Sequence, residues 1–330
     1  MSDERLPDEV RELLDGFEGR DVPLASLSTE RLRELTEQHG IDSATALLYE
    51  RILHTEPHSG WNRRLAAWTN AGSNDLPRLP ATLVIVPGAF WREYPATGAG
   101  GESLEEPARR LGMEVERVPV ASQGRLDENA QTILAWLRRS RAEHVVLVSL
   151  SKGGADVRAA LATPGAREAF ARVRAWVDLS GIVSGTPMVE WFAARPLRRL
   201  LLGLVLRLKG HDPGFLTELG RPRAVFPEVP EDLRILHLAG LALRRHCTTS
   251  KSRRWWKRLA SGGPTDGVVR LADVTALPGI VVPIWGADHY LRPLVQDSRF
   301  ALAVLSTLAE DLRLPVTAST RSGSVAGEPG

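Results

Sequence analysis

The sequence predicts a fold of the α/β class, a doubly wound and mostly parallel sheet, and three observations carry that expectation. Short apolar runs such as Ala81–Val86 stop abruptly at turn residues, here Pro87-Gly88, as strands buried on both faces do. Runs of this kind alternate with helical patterns through the middle of the chain, the mark of consecutive βαβ units. One run, His144–Val148, passes through the small-residue turn Ser149-Leu-Ser151-Lys-Gly153-Gly directly into a helical pattern.

Residues 1–75 read as a helical N-terminal extension. Val10, Leu13, Leu14 and Phe17 recur at helical spacing, Ser28-Thr29-Glu30 opens a second helix carrying Leu32 and Leu35, and Ala44–Ile52 continues the pattern. The main domain is expected over residues 76–316. After Ala81–Val86 its strands are predicted at Met113–Val120, His144–Val148, Val173–Leu179, Leu233–Leu238 and Ile280–Trp285. Helices are predicted at Asp127–Arg139, Lys152–Leu161 and Pro293–Leu312. An insertion over about residues 186–230 contains Arg195–Lys209, apolar in the middle and basic at both ends. Three readings of that segment stay open: a core-packed helix, a lid over an apolar pocket, and peripheral membrane contact through basic flanks on anionic lipid. Residues 317–330 carry few apolar anchors and are expected to be a disordered tail.

Composition narrows the function classes. The 330 residues include 42 basic and 40 acidic side chains, a near balance that disfavours a nucleic-acid-binding surface. The single cysteine, Cys247, excludes an intrachain disulfide and a multi-Cys zinc site. The first residues open acidic, with no apolar stretch behind them, and Leu200–Leu206 is far shorter than a bilayer span, so a cytoplasmic protein is expected.

The turn at residue 151 is the sharpest chemical signal. A serine hydroxyl becomes a nucleophile when it is exposed and hydrogen-bonded to a base. A tight strand-to-helix turn supplies the exposure and demands very small residues two before and two after the serine, where Ser149 and Gly153 stand. The usual pattern has glycine at the first of these positions, so Ser149 is a departure. Ser149 and Ser180 are the lesser candidates for the nucleophile. Among eight histidines, His289 follows the last expected strand, which places its ring at the carboxyl edge of the sheet together with the turn. His39, His54 and His58 fall in the N-terminal helices, His144 starts a strand, and His237 reads as a core residue, while His211 and His246 are harder to set aside. For the acid that would orient His289, Asp266 in a Gly-Pro-Thr-Asp-Gly turn is favoured, Asp178 at a strand end is the alternative, and Asp288 and Asp273 rank lower. Oxyanion donors are expected from the backbone of Lys152 and from Phe90 or Ala89 in the loop after the first strand. Trp91, Trp191, Trp255, Trp256 and Trp285 belong to a set of nine tryptophans, most of them core and some available to line a pocket.

With these residues in view, the chain resembles the α/β-hydrolase superfamily, and within it the lipase- and esterase-like serine hydrolases. Ser149-Leu-Ser-Lys-Gly-Gly-Ala-Asp156-Val-Arg158 is similar to the elbow and following helix of bacterial triacylglycerol lipases. Pro87-Gly-Ala resembles their oxyanion loop, Asp266-Gly-Val-Val their acid turn, and Ala287-Asp-His-Tyr their histidine loop. The resemblance covers roughly residues 80–312. It implies the α/β-hydrolase fold with a helical lid insertion after the strand ending near Asp178, hydrolysis of a small-molecule or lipid-like carboxylic ester, and no cofactor or metal. Acyltransferases and thioesterases share these motifs, and non-catalytic binding proteins share the fold, so those readings stand beside it.

Overall fold

The structure, a computed structural model, describes residues 6–70, 76–193, 214–220, 225–292 and 297–314, with positions 200, 203, 204, 207 and 208 besides. Six strands form one sheet: β1 Thr82–Val86, β2 Glu114–Arg117, β3 Val145–Leu150, β4 Val173–Leu179, β5 Arg234–Leu241 and β6 Ile280–Trp285. All five pairings are parallel, in the spatial order β2-β1-β3-β4-β5-β6. The chain steps outward from β1 to β2, then returns past β1 to β3. Connections therefore leave the carboxyl ends of β1 and β3 in opposite directions and open a crevice between them.

Alternate residues of the buried strands feed two cores. Leu83, Ile85, Val146, Val148, Val177, Leu236 and Val282 pack on one face, and Val84, Val86, Val145, Leu147, Trp176 and Ile235 on the other. The first face is covered by α5 (Glu105–Arg110) and the C-terminal helix Ser298–Leu312. The second is covered by α6 (Leu126–Arg139) and α7 (Lys152–Leu161).

Both sheet edges are protected, by different means. The sequence predicts strand over Met113–Val120, but only Glu114–Arg117 pairs. The Val118 N–H still donates to the Ile85 carbonyl of β1 (2.9 Å), but the next N–H on that side, Val120, turns back to the Val118 carbonyl (2.8 Å) and ends the ladder, and both side chains enter the core beside α6. At the other edge, the Val281 N–H donates to His58 Nδ1 (3.1 Å) and Asn62 Nδ2 donates to the Val281 carbonyl (3.1 Å). Both side chains come from α4 (His58–Asn70), so a helix satisfies the backbone groups that β6 would otherwise present to a second chain. Pro283 has the same parity as Val281, so its missing N–H also lies on the side away from β5.

Before α4 come α1 (Asp8–Leu14), α2 (Thr29–His39) and α3 (Ile41–His54). Ser28 caps α2, its Oγ accepting from the Arg31 N–H at 3.2 Å. Val10, Leu14, Leu32, Leu35, Leu47, Leu48 and Ile52 from these helices share one core with Ala239, Leu241, Val269, Leu271 and Val281. The N-terminal helices are thus welded to the sheet and to the segment carrying Asp266.

Within the insertion, helices form at Pro187–Ala193 and Gly214–Leu219. Arg158 of α7 holds both of its ends, with Nη1 donating to the Val183 carbonyl (2.8 Å) and Nη2 to that of Val225 (2.7 Å). Most of the expected Arg195–Lys209 helix, and with it the lid and membrane-contact readings, lies outside the described residues, as does the expected tail from 317 onward. The closing helix begins at Ser298, capped by Asp297, rather than at Pro293; residues 293–296 are outside the described set. Among the described residues no helix is long and apolar enough to cross a membrane.

Candidate active site

Ser151 occupies the turn between β3 and α7 with φ 50° and ψ −113°, a conformation that side chains other than glycine rarely adopt. Three neighbours make the turn possible. A Cβ on Gly153 would collide with the carbonyl of Val86 and lie 2.9 Å from that of Pro87, so only glycine lets the first turn of α7 pass the end of β1. A Cβ on Gly88 would lie 2.9 Å from the Leu150 carbonyl, so the loop after β1 also touches the turn. Ser149, where a glycine was the usual expectation, is fully buried and fully engaged. Its Oγ donates to Asp178 Oδ1 (2.7 Å) and accepts from the indole N–H of Trp176 (2.8 Å).

The Ser151 hydroxyl lies 2.9 Å from Nε2 of His289, and Nδ1 of that ring lies 2.8 Å from Oδ2 of Asp266. The loop after β6 carries His289, and its backbone N–H donates to the Asp266 carbonyl at 3.0 Å, which locks ring and acid together. Asp266 is itself buried and fixed. Its Oδ1 accepts the amides of Val268 (2.7 Å) and Val269 (2.8 Å), an Asx turn that leaves Oδ2 for the imidazole. With a carboxylate at Nδ1, that nitrogen carries the hydrogen and Nε2 is left as the acceptor for the serine O–H. The arrangement can withdraw a proton from Ser151 as its oxygen attacks an electrophile.

Serine at the turn after β3, acid after β5 and histidine after β6 stand in this chain order on one edge of a parallel sheet. A metagenomic carboxyl esterase of known structure superposes with a TM-score of 0.54 at 21% identity, over 74% of this chain and 79% of that one. The mature lipase of Bacillus licheniformis aligns at a TM-score of 0.49 and 19% identity, over 73% of this chain and 93% of that one. No family model and no curated protein matches the sequence. The chain has the α/β-hydrolase fold.

The sequence expected two backbone donors facing this turn, one from Lys152 and the other from Phe90 or Ala89. Lys152 is the first residue of α7, where a helix leaves its amides without intrahelical acceptors. Phe90 also has a positive φ, 61°, and its ring packs edge-on to Phe215 with centroids 6.3 Å apart. The Lys152 side chain is engaged away from the turn. Buried between helices, its Nζ donates to both carboxylate oxygens of Asp156 (2.8 and 2.9 Å), and Asn129 of α6 donates to Asp156 Oδ2 at 3.0 Å. The spacing of 152 and 156, one helical turn, was a readable signal for that pair.

The other candidates are held elsewhere. Asp178, the alternative acid, faces Ser149 and Nδ1 of His237 (3.2 Å), not His289; it sits on the strand row below the turn, out of line with the imidazole. Asp288 accepts from Thr248 and Tyr290 and braces the histidine loop. Asp273 accepts from Thr29, and burial raises its pKa. Ser180 has φ 46° and a buried hydroxyl with no hydrogen-bond partner among the described residues. His246 faces Glu9, His39 stacks on Phe17, His54 meets Arg51 and His144 meets Arg174, while His211 is outside the described residues. Cys247 is buried, and burial pushes its thiol up to about 11, so it is no rival nucleophile. Trp256 donates to the Ala242 carbonyl and Trp285 to Glu9, whereas Trp191 and Trp255 stack edge-on beneath the guanidinium of Arg258. Among the described residues no group of three or more His, Cys, Asp and Glu side chains could hold a metal ion.

Proposed function

We propose that the protein is a serine hydrolase that cleaves carboxylic esters of apolar acyl groups through an acyl-enzyme, with Ser151, His289 and Asp266 as its triad. The observation that carries this reading is the continuous hydrogen-bonded line from Ser151 Oγ through both ring nitrogens of His289 to Asp266 Oδ2, 2.9 and 2.8 Å in its two steps. Ser151 Oγ adds to the ester carbonyl while its proton passes to His289 Nε2. The tetrahedral oxyanion accepts hydrogen bonds from the amides of Lys152 and of Phe90 or Ala89. Collapse expels the alcohol, which takes the proton from His289 and leaves Ser151 acylated. Water then adds to the acyl carbonyl, giving one proton to His289, and the carboxylic acid leaves as Ser151 regains that proton. Asp266 keeps its charge throughout and stabilises the imidazolium.

The apolar acyl preference is supported by Phe90 in the loop after β1, whose ring packs edge-on to the buried Phe215. The esterase and lipase names of the structural neighbours agree with an ester or lipid-like substrate. A fluorophosphonate probe tests the reading. It should label the wild type and leave Ser151→Ala unlabelled, and equal labelling of the two proteins would end the proposal. A p-nitrophenyl ester series from short to long chains then fixes the acyl length.

A further inference from the structure

Ser149, Asp178 and His237 stand side by side on β3, β4 and β5, each the direct register partner of the next. All three are at most 2% exposed. The hydroxyl of Ser149 donates to Asp178 Oδ1 at 2.7 Å. The other oxygen of Asp178 lies 3.2 Å from His237 Nδ1, and His237 Nε2 lies 3.2 Å from the carbonyl of Pro278. The ring therefore faces an acceptor at each nitrogen, and hydrogen on both satisfies them. The row continues to Val281 of β6, whose N–H is taken by His58.

The row lies directly beneath the first turn of α7. A Cβ on Gly154 would lie 2.5 Å from Asp178 Oδ1, and one on Gly181 would collide with both carboxylate oxygens. Asp178 is thus clasped by two glycines and by the turn that offers the Lys152 amide to the reacting oxygen. A carboxylate here favours the positive end of the helix but opposes negative charge developing on the substrate at that same end. A cationic ring against its far oxygen offsets the opposition.

We infer that Asp178 and His237 form a buried ion pair that positions the first turn of α7 through Ser149 and Gly154, and that His237 protects the oxyanion from the charge of Asp178. They are positioning residues, and the inference rests on the hydrolase reading above. Serine at 149 follows from it: a glycine there would leave Asp178 Oδ1 and the Trp176 indole without their shared partner.

The test compares wild type, His237→Gln, Asp178→Asn and the double variant on one p-nitrophenyl ester. His237→Gln should lose about tenfold or more in kcat with KM little changed, because an uncompensated charge acts on the transition state. Adding Asp178→Asn should restore most of that loss, which a merely structural role would not do. A double variant no faster than His237→Gln would overturn the inference. A second measurement needs no substitution: in protein carrying 15N-histidine, the His237 ring, assigned through its contact with Trp176 (centroids 6.0 Å), should show two N–H signals. A ring with one N–H would also overturn it. A wild type that no fluorophosphonate labels would remove the hydrolase reading and this inference with it, whereas a labelled, active wild type without recovery in the double variant would remove this inference alone.

Discussion

At Ser151 the backbone is held at φ 50° because β1, β3 and α7 all crowd the same turn, and the surroundings over-determine it. Gly153→Ala tests this directly. The added methyl meets the Val86 carbonyl, which belongs to a central strand and cannot retreat, so the variant should lose about 1–3 kcal/mol of stability. An unchanged urea midpoint would show that the turn has slack. Asp266→Asn should leave the fold intact and cut kcat by about 10⁴, because the amide no longer selects the ring hydrogen at Nδ1. A loss below about tenfold would remove Asp266 from the machinery. At this scale the sequence named three side chains that the structure places in one hydrogen-bonded line. Ser151, His289 and Asp266 could be picked out from local turn chemistry and chain order alone. The partnership of Ser149, Asp178 and His237 could not, because its members lie on three strands whose mutual register exists only once the sheet has formed. That register also sets Asp178 between Ser149 and His237.

Elements carry a second set of consequences. Helix α4 seals the β6 edge through His58 Nδ1, which can accept the Val281 N–H only while that nitrogen is unprotonated. Burial foremost, against the opposing charge of Glu56, lowers the pKa of His58 from its ordinary 6.5. The unfolded chain therefore binds the extra proton first as pH falls. The contribution of His58 to stability is complete above about 6.5 and declines below it. The protection factor of the Val281 amide, taken against its intrinsic exchange rate at each pH, should fall between pH 6.5 and 5 by more than those of the β5 amides. Equal protection of the two strands across that range would contradict the account. The buried strands were readable as apolar runs. The second strand was overestimated at its end, where the Val120 N–H turns back to the Val118 carbonyl instead of reaching β1, a local turn that the apolar character of Val118 and Val120 does not reveal.

For the whole molecule, the helices before β1 and the segment bearing Asp266 draw on one core. Removing residues 1–75 would expose Leu241, Leu271 and Val281 along a continuous apolar surface. The shortened chain should aggregate or lose its cooperative thermal transition. A soluble truncation that melts cooperatively and still takes a fluorophosphonate would make those helices dispensable. The sequence marked this region as helical but held no sign of where it docks, because an apolar helix face does not name its partner. The proposed chemistry turns on one event, the transfer of an acyl group to residue 151. Mass spectrometry of peptides from a reaction with a p-nitrophenyl ester, quenched in acid during the burst, reads that event directly. The peptide containing Ser151 should gain the mass of the acyl group, and the gain should vanish in Ser151→Ala. Rapid turnover with no acylated peptide, or with the acyl group on a different residue, would contradict the central claim.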